Sequence, residues 1–442
     1  MKSGGAVGEA RACLGLAGPL VAGQLASVAM GVTDTMFMGR LGVDAVAAGG
    51  LAVAIFSAVV VAAGGLVTPV SPLVAQANAL GRSDDMRRTV RAGLVVSFGA
   101  ALLCGGLVLI AAALLPRLGQ PASTIAPTRA FLFALAPSLP AALAFHVLRH
   151  ALVGRLRPRV VLVVTLVGVG LNVVLDYTLG FGAFGAPRLG LTGLGVATSL
   201  ATWAMLACAS LFAHRYGLLD RRAVDHAEVV RILRLGTPVA VMFGLEAALF
   251  AVATFVVGRW GIASLAAHQI VLQTTYAAYM VPQGISQAAA VRVARAAAAH
   301  DRHGVRLAAW TAVFLGAAFM AVAATTYVAC PRTLASLLVR LPPSETGIGA
   351  QVVSLFAVAA VYQVFDGAQV VAAGALRGLH DTSTPMRVTV AAYGLVGIPS
   401  AVVLGRFLGA TGAWWGIVAG LGLAGSMLLG RLYARTRDAG TI

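Results

Sequence analysis

Lysine is almost missing from this chain: Lys2 is the only one among 442 residues. A G-x-x-x-x-G-K-[ST] phosphate loop therefore cannot be built, and the chain carries no P-loop ATPase of its own. Schiff-base chemistry with retinal or pyridoxal needs a lysine and is excluded as well. Cysteine is scarce too. Cys13, Cys104, Cys208 and Cys330 are scattered without a C-x-x-C pair, which suggests neither zinc nor a disulfide framework. Neither D-D-x-x-D nor H-E-x-x-H occurs, so the sequence offers no prenyltransferase or zinc-protease site, and no enzyme is expected. Charge is the last scarcity. Charged residues make up 11% and hydrophobic ones 59%, against ~25% charged in soluble domains. A chain this apolar is neither disordered nor an ordinary soluble domain.

What is present is a series of long apolar runs, with a mean hydropathy of +0.90. The runs are continuous rather than alternating, which predicts membrane-spanning helices and not a barrel. The net charge of +17 comes from arginines placed between these runs. It is not a basic stripe interleaved with aromatics, so no nucleic-acid partner is expected.

Each charge costs ~2.5–3.5 kcal/mol at a bilayer centre, so gaps between charges mark spans. They fall at 12–37, 46–75, 92–115, 126–148, 160–180, 191–213, 235–257, 263–291, 307–330, 347–375, 388–405 and 409–430. The expected fold is thus an all-α polytopic membrane protein with twelve transmembrane helices. Residues 12–33 are long for a cleaved signal and lack a clear A-x-A site, so they are read as helix 1. With both termini cytoplasmic, inner segments hold 24 basic residues and outer segments 8, a bias that fits the positive-inside rule.

The polar stretch 215–234 divides the chain nearly in half. Sliding one half along the other until Pro19 meets Pro238 also brings Gly39-Arg40-Leu41-Gly42 onto Gly258-Arg259-Trp260-Gly261 and Gly193 onto Gly412. Both halves enter from the same side with six helices each. The reading is a six-helix lobe at 1–214, a cytoplasmic linker at 215–234 and a second lobe at 235–442. The lobes would be related by a pseudo-two-fold along the membrane normal, an arrangement suited to alternating access.

Of 15 acidic residues, four fall inside predicted spans: Asp34, Asp176, Glu246 and Asp366. No basic residue sits mid-span to neutralise them. A carboxylate there must be protonated, hold a cation or face water. If it takes either Na⁺ or H⁺ or a cationic substrate, but not both, it couples their movements. Asn172 and Asp176 share one helix face, and Tyr362, Gln363, Asp366 and Gln369 form a polar stripe on another. Their oxygens suit a hard cation or a proton.

The stretch from Gly18-Pro19 through Val32-Thr33-Asp34-Thr35 to Gly39-Arg40-Leu41-Gly42 resembles helix 1 of the multidrug and toxic compound extrusion (MATE) transporters. Ala266-Ala267-His268-Gln269-Ile270, Val281-Pro282-Gln283-Gly284-Ile285-Ser286 and Gly374-Ala375-Leu376-Arg377-Gly378 resemble later stretches of that family. The resemblance implies twelve helices in two lobes and export of organic cations and dyes in exchange for Na⁺ or H⁺, without a cofactor. Glu246 and Asp366, with Tyr362 one turn earlier, resemble the acidic pair of the NorM-type branch. They would be the Na⁺ ligands if Na⁺ is the coupling ion. Asp34, Asn172, Asp176 and Thr198 match the first-lobe site. Asp34, Glu246, Asp366 and Gln283 would contact substrate. The implied setting is a bacterial inner membrane, as a multi-pass monomer surrounded by lipid. A lipid-linked precursor flippase of related architecture is the alternative, but it would need mid-span cations for phosphates. His268 reads equally as a functional group or as a satisfied interfacial histidine.

Overall fold

The computed structural model describes residues 5–118, 122–220, 222–338 and 346–437. Lys2, Arg221, Arg340, Glu345 and Asp438, counted above among loop charges, lie outside the described residues. In chain order the helices are α1 (Ala6–Leu41), α2 (Val43–Val67), α3 (Val70–Ala79), α4 (Ser83–Leu114), α5 (Ala122–Leu135), α6 (Ser138–Gly154), α7 (Pro158–Phe181) and α8 (Leu191–Arg215). There follow α9 (His226–Gly258), α10 (Ile262–Ala298), α11 (Arg302–Ala329), α12 (Pro331–Leu338), α13 (Thr346–Gly378), α14 (Ser383–Thr389) and α15 (Ile398–Arg437). No strand occurs among the described residues.

Among the described residues, nine stretches are long and apolar enough to cross a membrane, and ten if the bent pair α5–α6 counts as one span. Twelve follows once two more features are included. The 37-residue α10 is long enough to cross but carries many polar side chains. The 55-residue run from Ser383 to Arg437 is far longer than a ~30 Å core requires, and it breaks at Gly409, whose φ is +66°.

The breaks have local causes. α5 and α6 meet at Pro137 with a 45° bend. Carbonyls at this bend are satisfied by α8: Ser199 Oγ donates to Ala134 O at 2.6 Å and Trp203 Nε1 to Pro137 O at 3.0 Å. The predicted window 46–75 is likewise split, at Thr68 and Pro69, into α2 and α3.

The chain packs as two compact units, one of Ala22–Ala240 and one of Met1–Val21 with Val241–Ile442. It passes from one to the other inside α1, just after Pro19, and inside α9, just after Pro238. Within the Ala22–Ala240 unit, Gly65 of α2 lies against Ala240. Within the other, Gly284 of α10 lies against Val21. The alignment that sets Pro19 on Pro238 also sets Gly65 on Gly284 and Val21 on Ala240, so the repeat read from sequence reappears in packing. The two contacts differ in tolerance. A Cβ at Gly65 would sit 2.6 Å from Ala240 Cα and 2.7 Å from its N, whereas one at Gly284 first meets the Val21 side chain. Gly65→Ala is therefore expected to destabilise by ~1–3 kcal/mol and Gly284→Ala by less. Thermal unfolding in detergent checks the order, and the reverse order would contradict these packings.

The loop joining the halves spans only 216–225. Residues 226–234, assigned to the linker by their charges, are the first turns of α9, with Asp225 Oδ1 accepting from the Ala227 N–H at 2.9 Å. Arginines on the first turns of α4 hold this loop. Arg87 Nε donates to Gly217 O at 3.0 Å, Arg91 pairs with Asp220, and Arg88 meets Asp225 at 3.5 Å. Thr89 Oγ1 donates to Glu228 Oε1 at 2.8 Å. In the other unit Glu9, the counterpart of Glu228 in the repeat, forms a two-pronged pair with Arg292.

The hydrogen bond from Arg91, with its charge, holds the Asp220 carboxyl below its usual range. A depressed carboxylate contributes stability above its unfolded pKa of ~3.9 and loses it as pH falls through the folded value. Asp220→Asn is expected to flatten the acid-side fall of the thermal midpoint below pH ~4. An unchanged slope would assign the acid sensitivity elsewhere.

Candidate functional sites

In the Ala22–Ala240 unit the four predicted residues come together. α7 presents Asn172 and Asp176 from one face, and both are fully buried. α8 approaches closely because Gly193 lies against the Leu179 carbonyl, leaving no room there for a side chain. That approach brings Thr198 Oγ1 within 3.4 Å of the Asn172 amide. Asp34 arrives from α1. The amide nitrogen of Asn172 faces the carboxylates, 3.0 Å from Asp34 Oδ1 and 3.2 Å from Asp176 Oδ2. The opposite assignment would set an oxygen against two acceptors. Asp34 and Asp176 thus meet through this one amide. Asp176 Oδ1 is buried without a partner among the described residues.

The second unit holds Glu246 on α9 and Tyr362 and Asp366 on α13. Asp366 is 5% exposed and lies close enough to Glu246 for their charges to repel. Tyr279 of α10, four residues before Gln283, lies near Glu246, and Tyr362 lies near Thr275. Further polar groups pack on α13: Gln363 Nε2 donates to Tyr327 Oη at 3.2 Å, and Gln369 donates to the fully buried Tyr393. Tyr393 sits in a π-helical stretch, Val390–Gly397. The side-chain oxygens of Gln283, Gln363 and Gln369 are buried with no hydrogen-bond donor among the described residues.

None of the ion pairs among the described residues includes Asp34, Asp176, Glu246 or Asp366. Nor do three His, Cys, Asp or Glu side chains gather there as a metal cluster. Each site sets two carboxyl groups beside neutral polar side chains, a donor set that could take up a proton or a hard cation.

His268 is fully buried beside the second site. The Trp414 indole N–H, which can only donate, meets His268 Nδ1 at 2.9 Å. The ring proton is therefore on Nε2, which donates to Thr254 Oγ1 at 2.9 Å, and Thr254 donates on to Phe250 O at 2.8 Å. Every polar atom of this chain is used, so His268 is a satisfied, neutral histidine. It fixes Trp414, whose ring stacks on Tyr362 at 5.7 Å. His268→Phe strands a buried indole N–H, at ~1–3 kcal/mol. The expected result is a lower thermal midpoint that His268→Gln, which retains an acceptor, restores in part. Equal midpoints for both variants would contradict the assignment.

A family model described as MatE matches residues 19–178 and again 238–403, two copies that start at the paired prolines of the repeat. The chain belongs to the MatE family. A protein of this family is a transporter and not an enzyme. The "Probable multidrug resistance protein NorM" of Pseudomonas aeruginosa is 38% identical over 94% of this chain and 87% of its own length. The protein of the same name from a Synechococcus strain is 37% identical over 97% and 95%. Among solved structures, the eukaryotic MATE transporter AtDTX14 superposes with a TM-score of 0.88 at 22% identity, covering 99% of both chains. A multidrug resistance MATE family transporter in an outward-facing conformation gives 0.87 at 17%, covering 98% of this chain and 97% of its own. These structures carry the fold, and the NorM relatives place the chain in that branch.

Within this MatE protein, sequence reading missed Tyr279, Tyr393, Tyr327 and the His268–Trp414 pair. Tyr279 left a signal, being one turn before Gln283 on the same face of α10. Tyr393 and Trp414 left none, because helix packing alone brings them near α13.

Proposed function

We propose that this chain is a secondary-active multidrug exporter that moves lipophilic cations outward against an inward flow of Na⁺ or H⁺, by alternating access. The observation that carries the reading is an acidic pair in each compact unit, Asp176 and Asp366 buried and Asp34 and Glu246 half-buried, without a basic partner among the described residues. Such a site has two stable states, protonated or cation-loaded, and cannot hold ion and cationic substrate together. Glu246 and Asp366, with Tyr362, are assigned to ion coupling, and to Na⁺ ligation if Na⁺ is the ion. Asp34, Asn172, Asp176 and Thr198 form the second coupling site. Asp34, Glu246, Asp366 and Gln283 contact the substrate. The names of the NorM relatives support drugs as cargo, and the arginine-rich loops support an inner-membrane setting with both termini cytoplasmic. The repeating six-helix lobes are 1–214 and 235–442.

The coupling ion is tested by dye efflux from membrane vesicles at a fixed proton gradient. Efflux lost only on removing Na⁺ assigns Na⁺, and efflux that follows the proton gradient with Na⁺ absent assigns H⁺. Indifference to both would remove the coupling role of the acids.

A further inference from the structure

We propose that the cleft between the end of α9 and the first part of α15 binds the phosphate of an anionic membrane phospholipid. The cleft holds about 260 Å³ and is lined by Val256, Arg259, Trp260, Val402, Gly405 and Arg406. That is below the ~300–1,000 Å³ of drug-sized pockets but roomy enough for a headgroup.

Its walls are tied together. Trp260 Nε1 donates to Gly405 O at 2.9 Å, across the cleft. Gly405 itself lies against Val256, so a side chain there would fill the space. The Trp260 ring also lies 3.6 Å from where a side chain of Gly409 would begin, at the break in α15. The Trp260 indole N–H is thereby spent on the protein. The polar groups left to meet a ligand are the guanidinium groups of Arg259 and Arg406. Both residues are exposed, and neither has a carboxylate partner among the described residues.

Most arginines of this protein cluster at the other end of the spans, where acids answer several of them. Arg259 and Arg406 are two of the eight basic residues assigned to the opposite side, and they face one cavity. A planar fork of N–H donors is matched to phosphate oxygens, and two such forks at one cleft favour an anion over a zwitterion. Val256 and Val402 add apolar surface to the lining, and the sequence neighbours Phe255, Ile262 and Phe407 are 78%, 89% and 79% exposed, as acyl-chain contacts should be. Cationic and apolar groups side by side favour a lipid phosphate over a free one.

The test uses the purified full chain in neutral detergent. Thermal midpoints are measured with added phosphatidylglycerol, with phosphatidylcholine of the same acyl chains, and with inorganic phosphate. Lipid retained by the protein is counted in parallel by native mass spectrometry. The expected result is a rise of several degrees with phosphatidylglycerol, a smaller one with phosphatidylcholine and none with phosphate. In R259Q/R406Q at least two thirds of the phosphatidylglycerol gain should vanish and one retained lipid be lost, with the lipid-free midpoint unchanged. R259K/R406K, which keeps the charge, should recover about half. A double glutamine variant that responds like the unaltered protein overturns the proposal, as do equal gains from both lipids. An equal shift from inorganic phosphate would mark a free-anion site and overturn it too.

Discussion

Asp366→Asn is expected to abolish uphill dye export, to below about a tenth of the unaltered level, while the protein still reaches the membrane in normal amount. Asparagine has the shape of aspartate but neither its charge nor its titration. Asp366 is buried on α13, faces Glu246 and has no basic partner. Removing the charge therefore breaks no ion pair, and it relieves a repulsion. The fold should survive or gain, and the whole loss should fall on ion binding. A tenfold loss corresponds to ~1.4 kcal/mol, small for a charge–cation contact in a low-dielectric site. Export and membrane level are measured together in cells. Full export by the variant would refute the coupling role of Asp366, and a missing protein would refute the argument that its charge is unpaired.

Asp176→Asn makes a different point. Its carboxyl group is fully buried and accepts from Asn172, which also donates to Asp34. An amide at this position keeps the shape of the carboxyl group but can neither ionise nor take up a proton. The site is then fixed in one of its two states. The expected outcome is a fall in export of about tenfold with at most a small drop in the thermal midpoint, because the amide keeps the size of the carboxyl group and an oxygen to accept from Asn172. Normal export with unchanged ion dependence would show that this pair is structural. A loss of stability above ~3 kcal/mol would show that the carboxylate was needed to hold α1 against α7.

Much of this was legible from the residues. Charge gaps located the spans because an unpaired charge is expensive in hydrocarbon wherever the helix starts. The repeat was legible because each half repeats one packing problem: Pro19 and Pro238 occupy equivalent positions in α1 and α9, as do Gly65 and Gly284 against their partners. Asn172 and Asp176 were paired by helical spacing, and Asp34 was joined to them by the resemblance to the family. Helix ends were not legible. Glu228 and Arg231 look like loop residues, yet they lie on the first turns of α9, since a charge on the wet turn of a helix resembles a charge in a loop. The break at Gly409 was located by the gap between the spans 388–405 and 409–430, where Arg406 falls. The π-helical stretch around Tyr393 was hidden, because only packing against neighbouring helices decides where a helix widens. The role of His268 stayed open in sequence because its two hydrogen-bond partners come from α9 and α15, 14 and 146 residues away.

The central claim is that buried, unpartnered carboxyl groups tie substrate export to an ion gradient. The most direct measurement is ethidium movement in liposomes holding only the purified protein, with Na⁺ and H⁺ gradients imposed separately or not at all. The account predicts accumulation against the dye gradient when at least one ion gradient is present, and collapse to equilibrium when both are absent. Accumulation with no ion gradient at all would contradict it.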